Sequence, residues 1–137
     1  MQNPMESYHI LTTLIIPVFM IVLGVGIAGI WAMDMISGRF RAQGSFFHWI
    51  NDGGDKMWPH IFAEYTTAAG LIAGGLCLSA EKAWAINLSL VFLGALCYTS
   101  LNSLSWVFAQ KDRIGYGIPM MAGLAGGVIS ILILLMI

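Results

Sequence analysis

The chain has 137 residues, of which 58% are hydrophobic and only 9% are Asp, Glu, Lys or Arg, against roughly a quarter charged in an ordinary soluble domain. That balance excludes a soluble globular protein and places the chain in or against a bilayer. Six basic against seven acidic residues give a net charge of −1, with no Lys or Arg run to form the electrostatic footprint of a nucleic-acid binder.

The first predicted helix covers residues 10–33, long enough to cross a hydrocarbon core of about 30 Å. The segment before it holds Glu6, no Lys or Arg and no small-residue cleavage site, so it reads as a retained helix and not as a signal peptide. Pro17 lies two turns inside and removes a backbone donor, which predicts a kink. Residues 34–60 form the one long loop. Within it Ser45-Phe46-Phe47-His48-Trp49-Ile50 sets aromatics beside polar residues and stops at Asn51-Asp52-Gly53-Gly54. This predicts an interfacial segment at headgroup level, serving as an anchor or as a lid over a site between the helices.

The second predicted helix, 61–80, opens behind Trp58-Pro59-His60, where a proline is tolerated because its missing N–H would be unpaired anyway. The third covers 83–109 and the fourth 114–137, with links so short that neighbours must run in opposite directions. The expected fold is all-α, one integral membrane domain over 1–137 built as a four-transmembrane-helix antiparallel bundle. Arg39, Arg41, Lys56, Lys111 and Arg113 fall on one side of the membrane and Lys82 alone on the other. By the positive-inside rule the first and third loops are cytoplasmic, with both termini outside or in the periplasm.

Helices in lipid associate through close backbone approach and interhelical hydrogen bonds, so small residues mark contact faces. Gly70 and Gly74 in the second helix, and Gly123, Gly126 and Gly127 in the fourth, are the expected packing positions. The polar residues are fewer and more telling. Glu64 sits about one turn inside the second helix, and a carboxyl in hydrocarbon is rare unless paired or functional. His60 precedes it by four residues on the same face. Tyr98, Asn102 and Ser105, spaced by four and three on the returning third helix, come back to the depth of Glu64 and complete an expected polar layer. Such a layer reads either as hydrogen bonds that fix helix register or as a proton-exchanging or ligand-accepting site. Tyr116 enters the fourth helix at a similar level.

Cys77 and Cys97 lie in apolar runs without metal-site spacing and are expected as reduced, buried thiols. His9 belongs to the opposite face from His48 and His60, so no shared metal or haem centre is expected. No nucleophile elbow, Walker loop or HExxH pattern occurs, and no catalytic residue is expected.

The run HIFAEYTTAAGLIAGGLCL at 60–78, and LGALCYTSLNS followed by AQK within 84–111, resemble small four-helix membrane proteins of prokaryotes. The chain is also similar to the DoxX-like group in its acidic residue opening the second helix, the Gly-Gly pair near that helix's end and its Gly-bearing third helix. The resemblance covers roughly half the chain and leaves the long first loop unaccounted for. It implies a place beside quinone-linked or redox membrane complexes, and Glu64 is the one position it carries over. Three functions follow as expectations. The first is a noncatalytic small membrane subunit or accessory protein whose partner membrane proteins pack on its glycine-rich faces. The second is a homo-oligomeric carrier or channel lined by Glu64 and Asn102. The third is a binder of quinone or lipid between helices, using Tyr98, Asn102 and Trp106.

Overall fold

The computed structural model describes residues 4–36, 58–109 and 114–136, and all of their regular structure is helical. A short helix α1 (Pro4–Ile10) runs through a π-helical turn (Leu11–Ile15) into α2 (Ile16–Ile36). Three further helices follow, α3 (Trp58–Ser79), α4 (Ala85–Ala109) and α5 (Ile114–Leu135). Four stretches are long and apolar enough to cross a membrane: Glu6–Met33, His60–Ser79, Ala85–Ser105 and Gly117–Leu135. Their mean hydropathies are 2.6, 1.4, 1.4 and 2.3, so the two central helices are the more polar pair. The segment 45–50, expected at headgroup level, lies outside the described residues.

The first helix begins earlier than the hydrophobic pattern predicts, with Pro4 at its first position, and the disturbance expected from Pro17 takes the form of the π turn just before it. A proline leaves the carbonyl four residues back without its usual α-helical donor, here that of Thr13. The Ser79 hydroxyl, at the end of α3, donates to that carbonyl at 3.3 Å. A π turn and an outside hydroxyl thus absorb the proline together.

The turn from α3 to α4 is equally specific. The Lys82 amide donates to the Cys77 carbonyl at 3.1 Å and the Glu81 amide to that of Leu78 at 2.9 Å, the two bonds of a Schellman closure. Glu81 occupies the left-handed position, φ 51°, that glycine usually takes. His9 Nε2 lies 3.4 Å from Glu81 Oε1, both side chains being exposed, and ties the start of the first helix to this turn.

Helices adjacent in sequence form the main interfaces, and α2 and α5 touch only briefly. At α2 and α3 the backbones come together where glycine permits it. A Cβ at Gly75 would stand 2.8 Å from both the Pro17 carbonyl oxygen and Ile21 Cγ1, and one at Gly24 would stand 2.7 Å from the Ala68 carbonyl oxygen. The pairs run in opposing order, Gly75 by Pro17 and Gly24 by Ala68. Between α3 and α4, Gly70 receives the Phe92 ring, and a Cβ on Gly74 would lie 3.1 Å from Ser89 Oγ and 2.9 Å from Met20 Cε of α2. Gly127 of α5 meets Cys97 of α4, and Gly126 receives the Phe19 ring from α2. Met20, Leu71 and Leu93 are the innermost apolar side chains of the resulting core. The glycines expected as contact positions are therefore spent on interfaces within the chain. Cys77 and Cys97 are free thiols, half-buried at helix contacts.

The backbone approach at Gly75 predicts opposite outcomes for two glycines. Gly75→Ala drives a methyl group into the Pro17 carbonyl and should lower stability by about 1–3 kcal/mol. Gly29 has nothing within 4 Å of a Cβ placed on it. Gly29→Ala should therefore raise stability by up to about 1 kcal/mol through helix propensity. Thermal unfolding in detergent reads both, and equal shifts for the two would contradict the packing described.

Candidate functional site

Where α2 and α5 part, a cleft of about 300 Å³ opens between them, at the lower end of the range for small-molecule pockets. Its walls come from Val22, Ile27 and Trp31 of α2 and from Pro119, Met120 and Gly123 of α5. Its floor is built by the two central helices, with Leu96 beside four polar residues: Glu64 of α3 and Thr99, Ser100 and Ser103 of α4. Along α5, one turn beyond Gly123, Gly126 lies under the Phe19 ring of α2. Away from that contact the cleft points toward the helix termini that flank the first and third loops.

Glu64 is only 6% exposed, yet it contributes to the cleft surface. It is the one carboxyl among the described lining residues, which include no Lys, Arg or His. The Ser103 hydroxyl points to its Oε1 at 3.5 Å, the outer limit of a hydrogen bond. His60, one turn earlier on α3, holds Nε2 at 3.7 Å from the same oxygen. On the far side of that ring, Asn102 Nδ2 approaches His60 Nδ1 at 3.3 Å. An amide N–H can only donate, so Nδ1 accepts and the proton of the neutral imidazole resides on Nε2, directed at Glu64. At 3.7 Å the Glu64 oxygen is beyond hydrogen-bond distance, and the buried His60 Nε2 has no hydrogen-bond partner among the described residues. The Trp31 ring packs edge-on against His60, centroids 5.8 Å apart at 70°, and joins this row of polar groups to the cleft wall.

Of the residues expected in the polar layer, His60, Glu64 and Asn102 come together in this row. Tyr98 does not: it is 70% exposed on the outer face of α4. Ser105 is also exposed, and its hydroxyl donates at 2.6 Å to the Asn102 carbonyl within the same helix. The buried stripe of α4 follows Ser89, Leu93, Leu96, Ser100, Ser103 and Val107. Asn102 lies on the flank of that stripe, so residues in phase with it turn outward. Ser100 and Ser103 were the missed members, and their signal was present as serines alternating by three and four with Leu93 and Leu96. The side chains of Trp106 and Tyr116, like residue His48, fall outside the description. No group of three or more metal-ligating side chains occurs among the described residues.

Comparison with known proteins adds one family. A model described as a domain of unknown function (DUF8058) matches residues 11–137, and the chain belongs to that family. No curated protein and no solved structure matches it.

The Asn102 contact fixes the expected state of the His60 ring. Nitrogen-15 NMR of the histidine rings should show His60 with its proton on Nε2. Asn102→Asp, which replaces the donating amide by an accepting oxygen, should shift the population toward Nδ1–H. An unchanged tautomer in Asn102→Asp would remove the contact from the site.

Proposed function

We propose that this member of the DUF8058 family is a noncatalytic membrane protein that draws an amphiphile, a lipid or an isoprenoid quinone, out of the bilayer into the cleft between α2 and α5. The observation that carries this reading is an apolar cleft of about 300 Å³ whose floor bears a single buried carboxyl. An apolar chain gains nothing by leaving lipid for an apolar wall. Binding must therefore come from packing against the cleft and from the polar end meeting Glu64, Ser100 and Ser103.

In the same proposal the four helices cross a prokaryotic inner membrane as an antiparallel bundle. The basic residues of the first and third loops lie in the cytoplasm, and the cleft occupies the cytoplasmic half of the bilayer. In that arrangement the first loop carries the expected interfacial segment at headgroup level. A second reading, a subunit in a complex of membrane proteins, draws support from Gly29 and Gly94, which have nothing within 4 Å and leave room for a partner helix. A carrier path through Glu64 and Asn102 has less behind it, because Asn102 is turned to His60 and is not among the described lining of the cleft.

Two measurements test these readings. Purified in mild detergent, the protein should retain a near-stoichiometric amphiphile identifiable by mass spectrometry. Gly26→Phe fills the cleft from a position with nothing within 4 Å of an added Cβ, and it should lose that molecule at an unchanged unfolding midpoint. Wild type without any retained lipid, or Gly26→Phe retaining it fully, would contradict the cleft as a binding site, and copurifying protein subunits would favour the second reading. For the orientation, Cys77 and Cys97 are first replaced by Ala. A cysteine at Gln43 should then resist an impermeant thiol reagent in intact cells and one at Gln2 should react, the reverse pattern overturning the topology.

A further inference from the structure

Resting on that reading of the cleft, we infer that the polar end of its occupant is a neutral hydroxyl, as in a long-chain or isoprenoid alcohol, a sterol or a quinol, and not an anionic headgroup. The floor sets this selection. Glu64 offers carboxyl oxygens at the cleft surface, with the Ser103 hydroxyl 3.5 Å from Oε1 and the Ser100 hydroxyl on the same floor. A hydroxyl is the smallest group that can donate to a carboxyl and accept from a serine at once. An ether accepts only and leaves the accepting carboxyl oxygen without a donor.

An anion fares worse than either. A phosphate or carboxylate moved into this cleft gives up its water and finds no described cation to replace it. Where Glu64 is ionised, the two negative charges add repulsion to that cost. Apart from the Trp31 ring, which packs against His60, the remaining described walls are apolar. Val22, Ile27, Leu96 and Met120 recognise a chain only by its shape, and the Thr99 hydroxyl is already donated to the Leu96 carbonyl at 3.2 Å. Discrimination between headgroups therefore concentrates at Glu64 and its serines.

Trp31 in the cleft wall supplies the readout. Bromine quenches indole fluorescence on contact, so the signal used is the difference in quenching between the wild-type protein and Trp31→Phe, both as full chains in phosphatidylcholine nanodiscs. Three probes with the same brominated octadecyl chain are compared: the alcohol, its methyl ether and the carboxylate at a pH where it is ionised in the bilayer. The alcohol should reach half-quenching at a mole fraction about tenfold below that of the ether, and further still below the carboxylate, a factor of ten matching one lost hydrogen bond to a charged or buried partner. Glu64→Gln retains an accepting carbonyl oxygen and should keep the preference for alcohol over ether. Glu64→Leu should bring their ratio to about one. Because leucine can disturb folding, its far-ultraviolet circular dichroism and unfolding midpoint are measured alongside, and Ser103→Ala serves as the independent variant: alcohol and ether both accept from a serine, so it should leave their ratio near the wild-type value, and a ratio falling to one would place the preference elsewhere than at Glu64. Equal quenching by alcohol and ether in the wild type, or tighter binding of the carboxylate, overturns the inferred headgroup while leaving the cleft occupied. Absence of Trp31-dependent quenching by every probe overturns the occupancy itself.

Discussion

In hydrocarbon no apolar surface is gained by bringing helices together, and everything else in this chain follows from how it meets that constraint. The solution is contact between backbones. Gly75 rests on the Pro17 carbonyl and Gly24 beneath that of Ala68, which sets the spacing of α2 and α3. Rings then fill the places left by missing side chains, Phe92 over Gly70 and Phe19 over Gly126. This last contact brings α5 to α2, and one turn on only the looser approach of Leu23 to Gly123 continues it. Below it the helices have no comparable pair of small residue and ring, so they separate, and the separation is the cleft.

The same economy explains where the polar groups went. The central helices have less apolar character than the outer pair, and each unpaired hydroxyl or amide in lipid costs free energy that a neighbour can offset. Ser79 answers a carbonyl freed by Pro17, Asn102 answers His60, and Ser103 turns to Glu64. The Ser89 hydroxyl is fully buried and has no such partner, packed where Gly74 lets α3 come close. Polarity is thus used mainly between neighbours within the chain, and the floor of the cleft is where it faces outward.

Much of the architecture was legible because hydrophobic length reports a membrane span directly. The four helices, and the proline that opens the second of them, follow from the sequence to within a few residues, except that the first begins at Pro4 and contains a π turn. A π turn carries no composition of its own, so Pro17 announced a disturbance without its form. At the site, helical spacing and matched depth joined His60 to Glu64 and Asn102. The same spacing pointed to Tyr98 and Ser105, which face away, because a phase argument needs the buried stripe as its origin. Taking Asn102 as that origin shifted the face by one residue from Ser103. The cleft itself was beyond such reasoning, since it depends on which two helices fail to touch, and no local pattern encodes a missing contact. The glycine stripes were visible as contact faces, but sequence does not say whether the surface they meet belongs to the same chain.

The π turn at Leu11–Ile15 has a bearing on how the chain tolerates changes of length. Such a turn closes its backbone bonds one residue later than an α turn, and so stores one residue more than the helix around it requires. Each residue of α-helix advances the direction of a side chain by about 100°. The wide turn therefore acts as a phase adjuster: it lets everything before residue 11 point independently of everything after residue 15. It is at this setting that His9 reaches Glu81 while Pro17 stays seated on Gly75. A single deletion within the turn would return it to α geometry and swing His9 by about a quarter-circle, off Glu81, while leaving the membrane-crossing length essentially unaltered. Two sequences differing by that one residue would look alike in every hydropathy profile and yet close the His9–Glu81 end of the bundle differently.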